Sequence, residues 1–399
     1  MRFESLQQQF EKVLQFFAAR AQFDRKELRC VVAPYRICPL GAHVDHQGGP
    51  VLGMTINAYT LLAYVPLPSP AMQLYSVNYP GALQFDFDRI ERSHLKGWGR
   101  YAVAAVRALR GQAPLQRGLL GAIYGTLPAS GLSSSASAGL AYLHALADVN
   151  GLDFSRETYV ALDQSLENDH LGLQNGVLDQ MTISFGKKEH LLYINTLALR
   201  VTYLRTPEAM PAHRILIADS GFSRELTQTG FNSRVEECRQ AARQLATMAG
   251  LPDAKILSDI PEAVFLQYRE KLSGPLRRRA THFFSERQRV QDGKVLWEKG
   301  KLAEFGKLMN ESCQSSIEQY QSGSPALKTL WQIVSTTAGV YGSRFSGGGY
   351  GGCVIGFVAA DQAAAAVETI QQRYFEAYPE AARKARVYLA ESEDGVRWL

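Results

Sequence analysis

A short polar segment near the start of the chain, YRICPLGAHVDHQGGPV (Tyr35 to Val51), contains an arginine, an aspartate and two histidines. These side chains could hold a metal ion, form a catalytic dyad or bind a small polar ligand. We predict that the segment is an extended strand, on which His43 and Asp45 face one side and His46 faces the other. One metal ion could not then collect all three side chains without a turn, which argues against a metallohydrolase. The pattern favours a binding site for the hydroxyl groups of a small polar ligand.

A serine-rich segment, LPASGLSSSASAGLAYLHAL (Leu127 to Leu146), combines a glycine with three consecutive hydroxyl side chains. Gly131 permits a tight turn, and Ser133, Ser134 and Ser135 crowd the predicted start of a helix. The free N–H groups and positive dipole end of such a helix bind phosphate, although an ordinary serine-capped helix is the alternative. The sequence contains no G-x-x-x-x-G-K-[ST] motif and no H-R-D or D-F-G set, so a phosphate loop here would work without the Walker lysine.

A second glycine cluster, SGGGYGG (Ser346 to Gly352), lies between two predicted strands. Five glycines in so short a run destabilise any regular element, whereas an ordinary hairpin loop needs one or two. We therefore predict that the backbone of this loop approaches a ligand closely.

Two acidic residues flank a glycine-containing turn in ENDHLGLQNGVLDQ (Glu167 to Gln180). Glu167 and Asp179 would suit a metal-binding carboxylate paired with a base, or with a carboxylate that orients the reacting group. Isolated acids are more often surface residues, so this prediction depends on the segments that accompany them.

The elements that position these segments follow a mixed order. After an amphipathic opening helix, short apolar strands alternate with helices, and the pattern restarts at RILIADSGF (Arg214 to Phe222). The second half is rich in helices and closes with two strands around the glycine loop and a final helix before Pro379. This order predicts an α+β protein, because a doubly wound sheet would show a stricter alternation. We place the domain boundary near residue 205, with domains at 1–204 and 205–399.

Composition excludes several classes of protein. The chain of 399 residues has a net charge of +5 and 46% hydrophobic residues, which is typical of a soluble globular protein with two domains. No apolar run is long enough for a membrane span, and the N-terminal residues lack the core of a signal peptide. The densest basic run, Leu276 to Ala280, is interpreted as a solvated helix face, so we expect no nucleic-acid or membrane partner. The five cysteines form no C-x-x-C pair, which predicts reduced thiols, and we expect a cytoplasmic monomer or weak homodimer.

Together these segments resemble the GHMP family of small-molecule kinases. That family has a sugar-binding motif, a P-x-x-G-L-S-S-S-A phosphate loop and a C-terminal glycine-rich loop. The run R-x-x-x-x-G-x-H-x-D at Arg36, Gly41, His43 and Asp45 resembles the galactokinase branch, and the wider run PYRICPLGAH is similar to the galacturonokinases. The resemblance implies an N-terminal mixed domain of the ribosomal-protein-S5-like type, a C-terminal ferredoxin-like domain, and a site between them.

The resemblance also implies a role for each matching residue, with ATP, Mg²⁺ and a sugar or sugar acid as the ligands. Asp179 would orient or deprotonate the anomeric hydroxyl, and Arg36 would steady the charge of the transferred phosphoryl group. The Mg²⁺ ligands would be Glu167 and a serine of the phosphate loop, taken as Ser134. The implied nucleotide-binding residues are Trp98, Tyr101, Pro128, Gly131, Leu132, Ser133, Ser134, Ser135 and Ala136. The implied sugar-binding residues are Ala42, His43, Asp45, His46, Phe231, Gly347 and Gly348.

Ala42 stands where galactokinases carry a glutamate that accepts a hydrogen bond from the primary hydroxyl of the sugar. A glutamate facing a uronate carboxylate would repel it by about 4 kcal/mol at about 4 Å, in an effective dielectric of about 20. The resemblance therefore implies a kinase that phosphorylates galacturonic acid at its anomeric oxygen. Three alternatives stay open: a galactokinase, a non-catalytic sensor of sugar and ATP, and Ala42 as a plain core residue.

Two features of the sequence leave the uronate prediction incomplete. The residue that would bind the carboxylate could be His46, Arg224, Arg234 or Arg344. In addition, Phe231 occupies a place where this branch usually has a tyrosine, so one hydroxyl contact to the sugar is missing.

Overall fold

The computed structural model describes residues 1–222 and 230–399. The strands of these residues are β1 (Arg29–Leu40), β2 (Val51–Leu67), β3 (Ala71–Ser76), β4 (Ala82–Asp86), β5 (Gly118–Gly125), β6 (His190–Asn195), β7 (Arg200–Arg205), β8 (His213–Asp219), β9 (Val340–Phe345), β10 (Cys353–Ala359), β11 (Arg386–Ala390) and β12 (Arg397–Trp398). The helices are α1 (Leu6–Ala18), α2 (Arg100–Arg110), α3 (Ser134–Val149), α4 (Arg156–Ser165), α5 (Leu178–Phe185), α6 (Phe231–Ala249), α7 (Glu262–Tyr268), α8 (Gly274–Glu298), α9 (Leu302–Ser315), α10 (Pro325–Ser335) and α11 (Ala363–Ala377).

The first sheet contains the strands of the N-terminal half. Its order is β12-β1-β2-β5-β3-β4, with β6 beside β2 and β7 beside β6. The β3 and β5 strands are parallel, and the other pairs are antiparallel. The β2 strand is buried along nearly its whole length, because α1 packs against one face of the sheet and α2 and α3 pack against the other. This two-sided burial explains its near-continuous apolar sequence.

The opening helix shows how local sequence sets an element. Ser5 caps α1, because its hydroxyl oxygen accepts a hydrogen bond from the backbone N–H of Gln8. The backbone N–H of Ser5 in turn donates to Oε1 of the Gln8 side chain. The apolar residues Val13 and Phe17 of this helix are buried against the sheet. The predicted amphipathic helix is therefore present.

The second sheet has the order β11-β8-β10-β9 and is antiparallel throughout. This is the strand order of a ferredoxin-like domain, with α10 and α11 packed on the sheet. The first and second sheets are separated by the segment between β7 and β8. The domain boundary near residue 205 stays a prediction.

Both ends of the chain cross to the opposite half. The N-terminal ammonium of Met1 donates to the carbonyl oxygen of Val387 (3.0 Å), and the N–H of Leu389 donates to Met1 (2.8 Å). In the opposite direction, β12 pairs with β1 in the first sheet. Each sheet therefore contains or borders a segment from the far end of the sequence.

One predicted element is wrong: His43 to His46 do not lie on an extended strand. The β1 strand ends at Leu40, and a 3₁₀ turn spans Asp45–Gln47. His43 has a left-handed backbone (φ 58°), and the chain reverses at Gly41 (φ 96°), where a Cβ atom would lie 2.6 Å from the Cα of Val51. The alternation of side chains along a strand therefore does not apply to this segment.

The α4 helix has an irregular C-terminal end. It ends as an α-helix at Ser165 and continues as one π-helical turn, Leu166–His170. Across residues 1–222 and 230–399, every helix is too short or too polar to span a lipid bilayer.

Candidate active site

A cavity of about 1120 Å³ is lined by residues from both halves of the chain. Sixteen of the residues predicted to bind or react line it: Arg36, Ala42, His43, Asp45, Trp98, Tyr101, Pro128, Gly131, Ser133, Ser134, Ser135, Glu167, Asp179, Phe231, Gly347 and Gly348. The fold therefore gathers segments that are far apart in the sequence.

The buried Arg36 and the partly exposed Asp179 form an ion pair in the wall of this cavity. The Nε of Arg36 donates to Oδ1 of Asp179 (2.8 Å), and its Nη1 donates to the carbonyl oxygen of Gly131 (3.1 Å) and to Oγ of Ser346 (3.3 Å). Burial alone would lower the pKa of Arg36, but the charge of Asp179 and the hydrogen bond to it outweigh burial and raise it. Arg36 is thus a permanent cation that links the serine-rich loop, the glycine loop and Asp179.

Asp45 lies beside this pair and holds a second carboxylate in the cavity. Burial, followed by the charge of Asp179, raises the pKa of Asp45 to about 6. The backbone N–H of Leu178 donates to Oδ2 of Asp45 (3.2 Å). Gly176 gives this carboxylate its room, since a Cβ atom there would lie 2.5 Å from the Cγ of Asp45.

His43 is held against an aromatic ring from the C-terminal half. Its imidazole stacks on Tyr320 with ring centroids 4.1 Å apart and planes 2° from parallel. Burial, followed by the charge of His282, lowers the pKa of His43 well below its usual value. A neutral imidazole carries one donor and one acceptor nitrogen, so His43 can exchange a hydrogen bond with a hydroxyl group in either direction.

The backbone around Ala42 is fixed by two side chains of α8. The N–H groups of Gly41 and Ala42 both donate to Oε1 of Glu286, at 2.8 and 3.2 Å. On the other side of the peptide, Nε2 of His282 lies 2.9 Å from the carbonyl oxygen of Ala42. These bonds hold the turn that presents Ala42 and His43 to the cavity.

Glu286 is an anion despite its complete burial. Burial by itself would raise its pKa, but the charges of Arg289, His282 and Arg344 outweigh it and lower the pKa to about 2. Its Oε2 accepts a hydrogen bond from Nε of Arg289 (2.7 Å), and its Oε1 also accepts one from Oγ of Ser312 (2.6 Å). The carboxylate therefore has partners for both of its oxygens.

The serine-rich loop and the glycine loop pack directly against each other. A Cβ atom at Gly131 would lie 2.7 Å from the carbonyl oxygen of Ser346, and one at Gly352 would lie 2.5 Å from that of Ser130. Gly131 and Gly352 also have positive φ angles (79° and 90°), which side chains disfavour. Part of the glycine cluster thus serves contact between the two loops, while Gly347 and Gly348 line the cavity.

Glu167 projects from the π-helical turn toward the serine-rich loop. Its Oε2 accepts hydrogen bonds from Asn175 (2.6 Å) and Gln180 (2.9 Å), and the Ser135 side chain also hydrogen-bonds this carboxylate. Burial, followed by the charge of Asp179, raises the pKa of Glu167 to about 7.

The serines beside Glu167 have different partners. The hydroxyl of Ser134 accepts a hydrogen bond from the backbone N–H of Ala129 (3.0 Å), whereas the Ser135 hydroxyl faces Glu167. In the part of the chain that the structure describes, no group of three or more His, Cys, Asp or Glu side chains could hold a metal ion. One carboxylate with neighbouring hydroxyls nevertheless fits Mg²⁺, which takes few protein ligands when phosphate oxygens and water complete its shell.

Comparison with known proteins identifies the family. Family models match at 20–66 (galactokinase galactose-binding signature), 100–187 (GHMP kinases N terminal domain) and 295–376 (GHMP kinases C terminal). A galacturonokinase from Arabidopsis thaliana is 40% identical over 94% of this chain and 95% of its own length. The chain belongs to the GHMP kinase family. A galactokinase from Roseiflexus sp. is 33% identical over 92% of each chain.

The GHMP kinase fold predicted from the sequence is confirmed by a solved structure. The crystal structure of Lactococcus lactis galactokinase complexed with galactose has a TM-score of 0.88 to this chain, with 29% identity, and covers 98% of this chain and 99% of that one. This GHMP kinase is thus a sugar kinase of the galactokinase branch, with a sugar and ATP as its ligands.

Three residues predicted for the site do not line the cavity of this GHMP kinase. His46 lies behind the wall, with its Nε2 3.2 Å from the hydroxyl of Tyr320, and burial lowers its pKa to about 3. Leu132 and Ala136 are fully buried in the core, although the carbonyl oxygen of Leu132 accepts a hydrogen bond from the N–H of Arg36 (3.2 Å). These three side chains act behind the surface that a ligand would touch.

The three candidate arginines lie in different surroundings. Arg224 lies outside the described residues. Arg234 does not line the cavity, and its Nη1 donates to Oε1 of Glu237 (2.9 Å). Arg344 lies near the end of β9 and lines the cavity.

Sequence reasoning missed the residues that support the site from behind. Glu286 and His282 belong to α8, where the sequence showed only a helix with a basic run, and Tyr320 follows α9 in a π-helical turn. Gly176 marks a close approach of the backbone to Asp45, so it gives no signal for Glu286, His282 or Tyr320.

Proposed function

We propose that this GHMP kinase transfers the terminal phosphoryl group of ATP to the anomeric hydroxyl of galacturonic acid, giving galacturonate 1-phosphate and ADP. The observation that carries the proposal is Ala42, a side chain without charge at a position of the cavity wall where an acid would repel a uronate. The Arabidopsis thaliana relative named galacturonokinase supports the same substrate.

In the proposed reaction, the anomeric oxygen forms a bond to the terminal phosphorus of ATP while the bond from that phosphorus to the departing ADP oxygen breaks. Asp179 receives the hydrogen bond of the anomeric hydroxyl and accepts its proton. Arg36 positions Asp179 through their 2.8 Å hydrogen bond and offers positive charge to the phosphoryl group. His43 and Asp45 bind other hydroxyl groups of the sugar and so hold the acceptor oxygen in line.

On the nucleotide side, we assign the adenine to Trp98 and Tyr101 and the phosphates to the loop from Pro128 to Ala136. This loop leads into the N-terminus of α3, where the free N–H groups and the helix dipole favour bound anions. Glu167 and Ser134 would hold Mg²⁺. The hydroxyl oxygen of Ser135, which lies beside Glu167, would be a further ligand for the ion. When bound, Mg²⁺ would neutralise charge on the phosphate oxygens.

The second candidate substrate is galactose, because the galactose-binding signature matches at 20–66. A non-catalytic sensor is disfavoured, since Asp179 and the three serines of the phosphate loop are all present. Release of ADP with a panel of sugars and sugar acids tests both alternatives. Binding of ATP without ADP release on any of them would favour the sensor.

The substrate is tested by comparing wild type with Ala42→Glu on galacturonate and on galactose. We expect kcat/KM of the wild type to favour galacturonate. The repulsion of about 4 kcal/mol between a glutamate and the uronate predicts a loss of about 1000-fold for galacturonate in the variant. A wild type that prefers galactose would refute the proposal.

A further inference from the structure

Arg344 is a buried arginine without a partner. The residue is 1% exposed, yet its Nε and Nη1 find no hydrogen-bond acceptor among the described residues, and no ion pair of this side chain is found there either. The other arginines of the site have such partners: Arg36 binds Asp179, and Arg289 binds Glu286. A buried cation without an anion is costly, because it loses its water shell without compensation.

Glu286 is a buried acid whose pKa is lowered in part by the charge of Arg344, but both of its oxygens already have other partners. Glu286 accepts hydrogen bonds from the N–H groups of Gly41 and Ala42, from Ser312 and from Arg289. The pair of Glu286 with Arg289 is electrically neutral. It therefore leaves the positive charge of Arg344 unbalanced.

The histidines near Arg344 add no charge of either sign at neutral pH. Burial is the main cause that lowers the pKa of His282, to about 4, and that lowers the pKa of His43 well below its usual value. The charge of Arg344 is a smaller contribution to both shifts. Among the described residues, the carboxylates of Asp45 and Asp179 also line the cavity, but neither forms an ion pair or a hydrogen bond with Arg344.

Arg344 lines the same cavity as Ala42 and His43. His282 lies 2.9 Å from the carbonyl oxygen of Ala42, and His43 is the next residue in the chain. A ligand in this cavity therefore lies between the uncharged side chain of Ala42 and a guanidinium whose Nε and Nη1 have no hydrogen-bond acceptor among the described residues.

We propose that Arg344 binds the carboxylate of the substrate and selects a uronic acid over a neutral sugar, an inference that rests on the proposed function. The planar guanidinium donates to a carboxylate through its fork of N–H groups, and the two opposite charges cancel within the buried site. Ala42 and Arg344 then act together: one removes a negative charge from the wall and the other supplies a positive one.

The experiment compares Arg344→Gln, Arg344→Lys and the control Arg234→Gln with the wild type on galacturonate and galactose. For Arg344→Gln we expect kcat/KM for galacturonate to fall by about 100-fold, mainly through KM, because a hydrogen-bonded charge pair is lost. The value for galactose changes by less than about 3-fold. Arg344→Lys keeps the charge without the fork, and its KM for galacturonate rises by about 10-fold. Arg234→Gln leaves both substrates unchanged, because its side chain lies off the cavity.

Thermal unfolding provides an independent readout. Arg344→Gln removes a buried charge but also one of the charges that favour the Glu286 carboxylate, so we expect the Tm of the variant without ligand to stay close to the wild-type value. Galacturonate raises the Tm of the wild type but not that of Arg344→Gln. If the glutamine variant does not fold, the lysine variant still discriminates, because its loss is confined to galacturonate.

The outcomes separate this inference from the proposed function. Equal losses on both sugars, or unchanged kcat/KM for galacturonate in Arg344→Gln, would overturn the role of Arg344 and leave a galacturonate-preferring wild type intact. A wild type that prefers galactose would overturn both. A loss on galacturonate alone supports the carboxylate contact.

Discussion

Asp179 lies where two carboxylates and one guanidinium meet, and its surroundings explain its proposed task. Arg36 binds it directly. Asp45 and Glu167 are neighbours whose pKa values are raised by burial and, to a lesser extent, by the charge of Asp179, to about 6 and about 7 respectively. Of the three acids, Asp179 is the one that forms an ion pair with Arg36. This direct contact distinguishes it as the acid proposed to receive the hydrogen bond of the anomeric hydroxyl.

Replacing Asp179 by Asn tests this role. We expect kcat to fall by about 100-fold to 10,000-fold, because a positioned base is lost, while KM for the sugar changes little. Steady-state kinetics and the pH dependence of kcat provide the measurement. Asp253→Asn, at an exposed acid outside the cavity, serves as the control. Near-normal activity of Asp179→Asn would remove Asp179 from the mechanism.

At the scale of elements, the two loops act as one structure because glycines let their backbones touch. Gly352→Ala would place a methyl group 2.5 Å from the carbonyl oxygen of Ser130 at a φ of 90°. The matched control is Gly151→Ala, which also has a positive φ (64°) but whose Cβ atom would meet nothing within 4 Å.

Both alanine variants carry the cost of a left-handed backbone, of about 1 kcal/mol. Gly352→Ala must also separate the loops, so we expect its kcat/KM for ATP to fall by about 10-fold or more and its free energy of unfolding to fall below that of Gly151→Ala. Kinetics and urea denaturation of the two variants measure the difference. Similar values for both would show that contact between the loops does not matter.

The α8 helix stabilises the turn at Gly41 and Ala42 through Glu286, and this contribution depends on pH. The pKa of Glu286 is about 2 in the folded chain, below its ordinary value of 4.5, so its contribution is present above pH 4.5 and is lost as the pH falls toward 2. Glu286→Gln should lower the free energy of unfolding by about 3 kcal/mol at pH 7 and by less at pH 3.5.

Urea denaturation at the two pH values measures this contribution. Glu298→Gln, an exposed residue of the same helix, is the control and should change stability little at either pH. A deficit in Glu286→Gln that is equal at both pH values would contradict the proposed electrostatic origin.

At the scale of the whole molecule, the crossed ends couple the two halves. Glu393 contacts β2 through the hydroxyls of Thr55 and Tyr59, both at 2.5 Å. Gly395 donates to Gly186 (2.8 Å), and Leu399 donates to Cys30 (3.0 Å). The active-site cavity, which draws on both halves, depends on this coupling for its shape.

We therefore expect the wild type to unfold in one cooperative transition. Deletion of residues 392–399 removes these contacts and β12, so it should lower Tm and divide the transition into two. Differential scanning calorimetry of the wild type and the deletion variant measures both effects. Two transitions in the wild type would show that the halves are not coupled.

The fold class and the family were readable from the amino-acid sequence, and the segments of the candidate site were predicted from it. Those signals are local: Gly131 with its serines, the glycine run at Ser346 to Gly352, and the spacing of Arg36, His43 and Asp45 are each readable within a few residues. Local periodicity failed at His43, because the chain reverses at Gly41 where Val51 lies close, and that contact belongs to a neighbouring strand.

The tertiary structure was needed to show which side chains support the site from behind. It was also needed to show which charged side chains lack a hydrogen-bond acceptor among the described residues. Glu286 and Tyr320 reach the sugar-binding segment from the other half of the chain, and nothing in their local sequence distinguishes them. Arg344 is likewise one of several arginines that the local sequence does not distinguish. Its Nε and Nη1 lack an acceptor among the described residues, because Glu286 is bound by Arg289 and other groups. Hydrogen bonding and burial are properties of three-dimensional neighbours, so the sequence could name Arg344 as a candidate but could not choose it.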